Sequence, residues 1–178
     1  MYLADYHVHS LCSPDASFPM EAMAQAAADA GLQELCFTDH MEAAPDEEIR
    51  SGSSWEEMLA CFTRARERCA HLPVALKIGI EIGGAPLNVP AADRLMDASA
   101  EADFVIGSIH ALSPAYDCQS LYYLRCEGKE DARAAIADYL DQMIALAQWG
   151  RFDVIGHLTL PLRYLNEKYH MAMTFDGF

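Results

Sequence analysis

Basic side chains are scarce in this sequence. Its 178 residues hold 12 Lys and Arg against 27 Asp and Glu, a formal charge of −15 at pH 7. Nucleic-acid backbones and anionic membrane surfaces both call for a basic face, so neither is expected as a partner. An acidic chain still takes an anionic substrate where bound cations reverse the local field. Long apolar runs are missing too, which argues against a bilayer-spanning helix. The chain does not open on the basic-then-apolar pattern of an export signal. Its six cysteines (Cys12, Cys36, Cys61, Cys69, Cys118 and Cys126) include no C-x-x-C pair. Together these two absences point to reduced thiols in a cytoplasm. No low-complexity run interrupts a composition that is 52% apolar, so the chain reads as globular, with a length that suits one domain over residues 1–178.

What is present is a series of short apolar segments alternating with helical ones. Residues 3–9 read as a first strand, and residues 10–17, with Pro14 and Asp15, as a loop. An Ala-rich helix follows over 20–30, with Pro19 in its first turn and Gly31 placed to end it. Residues 34–38 form a second strand, ending in Asp39-His40. Residues 41–52 are polar and long enough for a functional loop. Ser54 and Glu57 have capping-box spacing and open a helix to about residue 69. In residues 74–82, Val74, Leu76, Ile78, Ile80 and Ile82 alternate with Lys77, Gly79 and Glu81, as in a strand with two unlike faces. A helix from Pro90 to about 102, a strand over 104–109, a long helix over 129–149 closed by Gly150, and a strand over 152–156 complete the series. Strand and helix in regular alternation argue for a parallel sheet, open or closed into a barrel.

The polar residues fall in one place. Each apolar strand ends at its C-terminal edge in a potential ligand: His7 and His9, His40, Glu81, His110, and His157. That edge is where parallel α/β folds build their sites. Alternation turns His7 and His9 the same way, with Asp5 on their face and able to hold a ring N–H. A single histidine of this kind is ordinarily a satisfied core residue. Five of the seven histidines at strand ends are better explained by one cluster. Imidazole with carboxylate suits zinc, iron, manganese or nickel, and no cysteine stands at a strand end to suggest a structural thiolate site. One carboxylate among several imidazoles, such as Glu81, is able to bridge two cations. Paired cations roughly 3.5–4 Å apart suit phosphate-ester hydrolysis, because they activate water and neutralise phosphoryl oxygens.

These motifs, taken together, resemble the polymerase-and-histidinol-phosphatase (PHP) family. They are H-V-H-S at His7, F-T-D-H ending at His40, G-I-E-I-G around Glu81, G-S-I-H ending at His110 and D-V-I-G-H ending at His157. The run from Gly156 to Tyr164, G-H-L-T-L-P-L-R-Y, resembles the histidinol-phosphatase branch. The resemblance implies a distorted βα barrel, two or three divalent cations (Zn, Mn or Fe) and phosphoester hydrolysis. By position, His7, His9 and Glu81 would hold one cation, and Glu81, His110 and His157 a second. Asp15 and His40 would hold a third, Asp15 standing where other members use His. Glu81, His110, His157 and Asp15 would be the catalytic residues, and Arg163 would meet the substrate phosphate. A small phosphorylated metabolite, histidinol phosphate first, is the implied substrate. Another small phosphate ester or a nucleotide keeps the same chemistry, and a metal-binding remnant without turnover is the non-enzymatic alternative.

The sequence departs from the family near its end. The family's last motif, an Asp-x-His on a late strand, has no counterpart after His157, where only His170 and Asp176 remain, in the wrong order and spacing. Five strand units are used by His157, whereas a complete barrel takes about 250 residues. The expectation is therefore a chain truncated at its C-terminus, with the barrel unclosed, its edge strands bare, low solubility and little turnover.

Overall fold

Strand order follows chain order. The structure, a computed structural model, describes residues 1–43 and 52–177. Its strands are β1 (Ala4–Val8), β2 (Glu34–Phe37), β3 (His40–Glu42), β4 (Ala75–Gly83), β5 (Phe104–Ser108) and β6 (Val154–Ile155). All pairings are parallel: β1 with β2, β2 and β3 with β4, β4 with β5, and β5 with β6. Each new strand adds beside the previous one, so the twist accumulates in one sense and the sheet curls into a half-barrel. The curl is visible across the sheet, since Tyr6 of β1 packs edge-on against Phe104 of β5 with ring centroids 4.8 Å apart. Among the described residues β1 and β6 are the two edges, and Val154 and Ile155 are 42% and 43% exposed.

The helices are α1 (Met20–Asp29), α2 (Trp55–Arg68), α3 (Val89–Ala98), α4 (Lys129–Trp149) and the short α5 (Leu160–Arg163). Ile78, Ile80 and Ile82 of β4 enter the core with Trp55, Met58 and Phe62 of α2 and Ile136, Tyr139 and Leu146 of α4. The opposite face of β4 carries Glu81, fully buried at the site end of the sheet. The alternation read in this strand thus separates core from site. α2 starts on the expected capping box, Ser54 and Glu57 each accepting the other's backbone N–H. α4 runs to Trp149 as expected and stops at Gly150, whose φ of 68° is left-handed. Among the described residues, no helix is long and apolar enough to cross a membrane.

Several boundaries differ from the sequence reading. Pro19 is the extended residue before α1 rather than part of its first turn. α3 stops at Ala98, four residues early. Residues 152–156 shrink to a two-residue β6, because Asp153 uses its side chain where a ladder would continue. Its Oδ2 accepts the backbone N–H of Val105 at 2.8 Å. Asp103 does the same for Ile78 at 3.0 Å, and Gln33 Oε1 for Leu3 at 2.7 Å. Three of the pairings, β1 with β2, β4 with β5 and β5 with β6, are therefore tied off at their N-terminal ends by a polar side chain, which fixes register at the end away from the site.

The assigned loop over 41–52 begins as strand. β3 extends to Glu42, and residues 44–51 of that loop lie outside the described residues. β2 and β3 keep one register against β4, Phe37 facing Ile78 and His40 facing Glu81. They are one strand path, interrupted where Thr38 and Asp39 turn their side chains to the chain leaving β1. Thr38 Oγ1 accepts the buried backbone N–H of Val8 at 3.2 Å. That bond falls beside a one-residue bulge in β1, between Asp5 and Val8, where the ladder to β2 is irregular. Thr38→Val keeps the shape and removes the acceptor. We predict a loss of about 1–3 kcal/mol in urea unfolding, the cost of a buried N–H left unpaired. An unchanged unfolding midpoint would show that Val8 has another partner.

Candidate metal centre

The strand ends deliver their side chains to one carboxylate. Glu81 Oε1 lies 2.8 Å from His157 Nε2 and 3.3 Å from both His7 Nε2 and His110 Nε2. Glu81 Oε2 lies 3.1 Å from His9 Nε2 and 3.2 Å from His40 Nδ1. Around it the five rings form a closed circuit in chain order. Centroids are 5.3 Å apart for His7 and His9, 4.3 Å for His9 and His40, and 4.8 Å for His40 and His110. The circuit closes with His110 and His157 at 5.1 Å and His157 and His7 at 5.7 Å. Gly156 leaves room for this. A methyl there would overlap Ser108 Oγ, which donates to Glu81 Oε1 at 2.6 Å.

Burial alone would raise the Glu81 carboxyl, but the close imidazoles of His110, His157, His7 and His9 outweigh it and hold the group firmly ionised. Burial would lower His110, yet Glu42 and then Glu81 push it up to about 10. Glu42 itself, despite the opposing effect of burial, is brought down to about 2 by His110 and His40. His9 is raised in the same way, burial being overcome by Glu81 and Asp15. The centre is thus a concentrated field of buried carboxylate charge faced by imidazole rings.

Hydrogen bonding does not satisfy it. The buried atoms His9 Nε2, His40 Nδ1 and Glu81 Oε2 face one another at close range, and none has a hydrogen-bond partner. Such atoms are costly unless something else occupies their lone pairs. Two donors each about 2.0–2.1 Å from a tetrahedral ion stand roughly 3.3 Å apart. His110 Nε2 is 3.3 Å from Glu81 Oε1 and 3.2 Å from His157 Nε2. His40 Nε2 is 3.4 Å from Asp15 Oδ2. The spacings, the donor types and the unpaired atoms all fit divalent cations. Groups able to hold one are His7, His9 and Glu81; His9, Asp15 and His40; His40, Glu42 and His110; and Glu81, His110 and His157.

All seven ligand residues expected from the sequence are therefore brought together. His71 and His170 belong to none of these groups. Asp5 is corrected: its Oδ1 accepts the backbone N–H of His7 at 3.1 Å rather than a ring N–H. Short acidic side chains bond readily to the backbone two residues on, and the bulge that follows breaks the simple alternation. Arg163 ends α5, is 68% exposed and faces Glu167 at 3.8 Å. Three residues were missed. Glu42 accepts His110 Nδ1–H at 2.5 Å and is two positions from His40, so strand alternation extended past His40 would have found it. Ser108 is two residues before His110 and bonds Glu81. Asp39, fully buried, accepts Ser10 N–H and Ser13 Oγ–H at 2.6 Å each and Ser10 Oγ–H at 2.8 Å, tying the loop after β1 beneath His40.

Comparison with known proteins agrees with this geometry. The PHP domain pattern matches residues 5–175. A Deinococcus radiodurans protein named "Probable histidinol-phosphatase" is 30% identical over 167 residues, 91% of this chain and 62% of its own length. A solved histidinol phosphate phosphatase from Lactococcus lactis, complexed with zinc, L-histidinol and phosphate, superposes with a TM-score of 0.65 at 24% identity. That match covers 87% of this chain and 57% of the other. A candidate histidinol phosphatase from Listeria monocytogenes has a TM-score of 0.73 at 16% identity, covering 96% of this chain and 71% of its own. The chain thus spans less than two thirds of the length of the Deinococcus and Lactococcus proteins.

A carboxylate that faces imidazoles through both oxygens has a testable consequence. We predict that Glu81→Gln lowers the number of zinc ions retained after dialysis, measured by atomic emission, while far-UV circular dichroism stays unchanged. A neutral amide is a poor bridge between cations. Retention of the full complement would count against bridging by Glu81.

Proposed function

The chain belongs to the PHP family, and from that premise we propose that it is a metal-dependent phosphomonoesterase whose substrate is histidinol phosphate, in histidine biosynthesis. The observation that carries this reading is the ionised, buried Glu81 with five imidazoles around it and unpaired nitrogen and oxygen atoms at cation spacing. Divalent cations bound there supply an activated water and neutralise the charge that develops on the phosphoryl oxygens. Zinc is the first choice, from the imidazole-rich donor set, with manganese and iron as alternatives.

The chain's own residues then have separate tasks. Glu81 spans two ligand groups, His7 with His9 on one side and His110 with His157 on the other. Asp15 and His40 form a third group nearer the rim, where Asp15 is 54% exposed. Burial raises Asp15, but His9 and His40 bring it below the usual carboxylate range, so it serves as an anionic ligand rather than as the proton donor. The proton for the departing alkoxide then comes from solvent at the open rim. Arg163 is assigned to the substrate phosphate, where its planar fork of donors suits two oxygens. The 178 residues act as one domain, in the cytoplasm, where the cysteines remain reduced thiols.

A second reading, turnover of another small phosphate ester or a nucleotide, keeps the same centre, because every residue assigned a role so far meets a cation or the phosphate and none meets the alcohol. The test is phosphate release by the zinc-loaded protein from histidinol phosphate and a panel of small phosphate esters. We expect histidinol phosphate to be hydrolysed fastest, with Arg163→Ala raising KM more than it lowers kcat. A different best substrate would select the second reading, and bound zinc with no turnover of any ester would leave a metal-binding remnant. An unchanged KM would remove Arg163 from the site.

A further inference from the structure

We propose that Glu42 is a positioning residue of the centre. By accepting Nδ1–H of His110, it turns the Nε2 lone pair of that ring toward the point shared by Glu81 and His157. This rests on the reading of Glu81, His110 and His157 as cation ligands. A neutral imidazole carries its proton on one nitrogen and offers a lone pair on the other, so whatever binds one edge decides the use of the other. In His110 the two edges are clearly divided. Nδ1 lies 2.5 Å from Glu42 Oε1, and Nε2 lies 3.3 Å from Glu81 Oε1 and 3.2 Å from His157 Nε2.

The fold holds Glu42 to this task. The β3–β4 register sets Glu42 opposite Gly83, and a methyl on Gly83 would overlap both carboxylate oxygens. The carboxylate thus lies in the space left by an absent side chain. His40 Nδ1 is 3.5 Å from the same Oε1, beyond good hydrogen-bonding range, so His110 is the partner served. The alternative is that His40, Glu42 and His110 hold a cation of their own. The 2.5 Å separation opposes it, being shorter than every contact between Glu81 and an imidazole and in the range of a direct hydrogen bond. It would also require both nitrogens of His110 to give up their protons.

The experiment compares the 178-residue protein with its Glu42→Gln and Glu42→Ala variants. Zinc affinity is measured by competition with a chromophoric chelator, and ring protonation by ¹⁵N NMR of the zinc-loaded protein. In the parent, His110 is expected to show a slowly exchanging Nδ1–H with Nε2 bound to zinc. Glu42→Ala is expected to weaken zinc by about 10- to 100-fold at unchanged stoichiometry, with loss of the protected Nδ1–H, and Glu42→Gln to weaken it less. A parent protein with the proton on Nε2 of His110 would overturn the proposal without reference to any variant. So would unchanged affinity in both variants, or a loss of one whole zinc, which would make Glu42 a ligand. A parent that binds no zinc would defeat the reading of the centre itself, and with it the role of Glu42.

Discussion

One buried carboxylate surrounded by imidazoles is the interaction on which the structure turns. Glu81 has no exposure to solvent, and an ionised carboxylate in that position is tolerable only if its neighbours supply compensating charge or donors. Five histidines face it, each from a different point on the rim of the sheet, and Ser108 donates a hydrogen bond to the carboxylate. The arrangement is one-sided. Oε1 is well bonded, whereas Oε2 and the two nitrogens beside it are not. The centre therefore has more lone pairs directed inward than hydrogen bonding can use, which is the condition that favours a cation.

The supporting elements keep this set in place from both ends of the strands. Gln33, Asp103 and Asp153 secure the far ends of the ladders, so a strand does not slide along its neighbour without losing a side-chain bond. At the near end, Asp39 gathers Ser10 and Ser13 beneath the loop that carries His9 and Asp15, and Ser13 Oγ in turn accepts the backbone N–H of His40 at 2.9 Å. A slip of one residue would turn every ligand to the wrong face. Polar anchors at both ends are the physical barrier against it.

The residues that meet at the centre were legible because two simple regularities coincide. Strands alternate, and parallel sheets build sites at their C-terminal edge, so His7, His9, Glu81, His110 and His157 could be read from position alone. α4 was legible at both ends because Gly150 stops it and Glu130 and Asp131 suit its first turn. What escaped depends on pairings that sequence does not display. Glu42 was hidden because residues after His40 look like a polar loop until β4 is beside them. Asp39 and Ser108 look like ordinary small polar residues, and their roles come from partners 26 to 29 residues away. Asp5 was misread because a regular strand was assumed through a bulge.

The curl of the sheet gives the centre a second character, that of a clasp. Laid flat, β1 and β6 would be separated by four interstrand gaps, roughly 19 Å. At the rim, however, His7 and His157 stack with centroids 5.7 Å apart, and both reach the same oxygen of Glu81 on the middle strand. The first and last strands thus meet through a side chain rather than through a ladder. Anything that tightens that meeting point closes, without a covalent bond, a loop of chain running from His7 to His157. Closing so long a loop restricts the unfolded ensemble in the manner of a crosslink. Occupancy of the centre and resistance to unfolding are then two measures of one event.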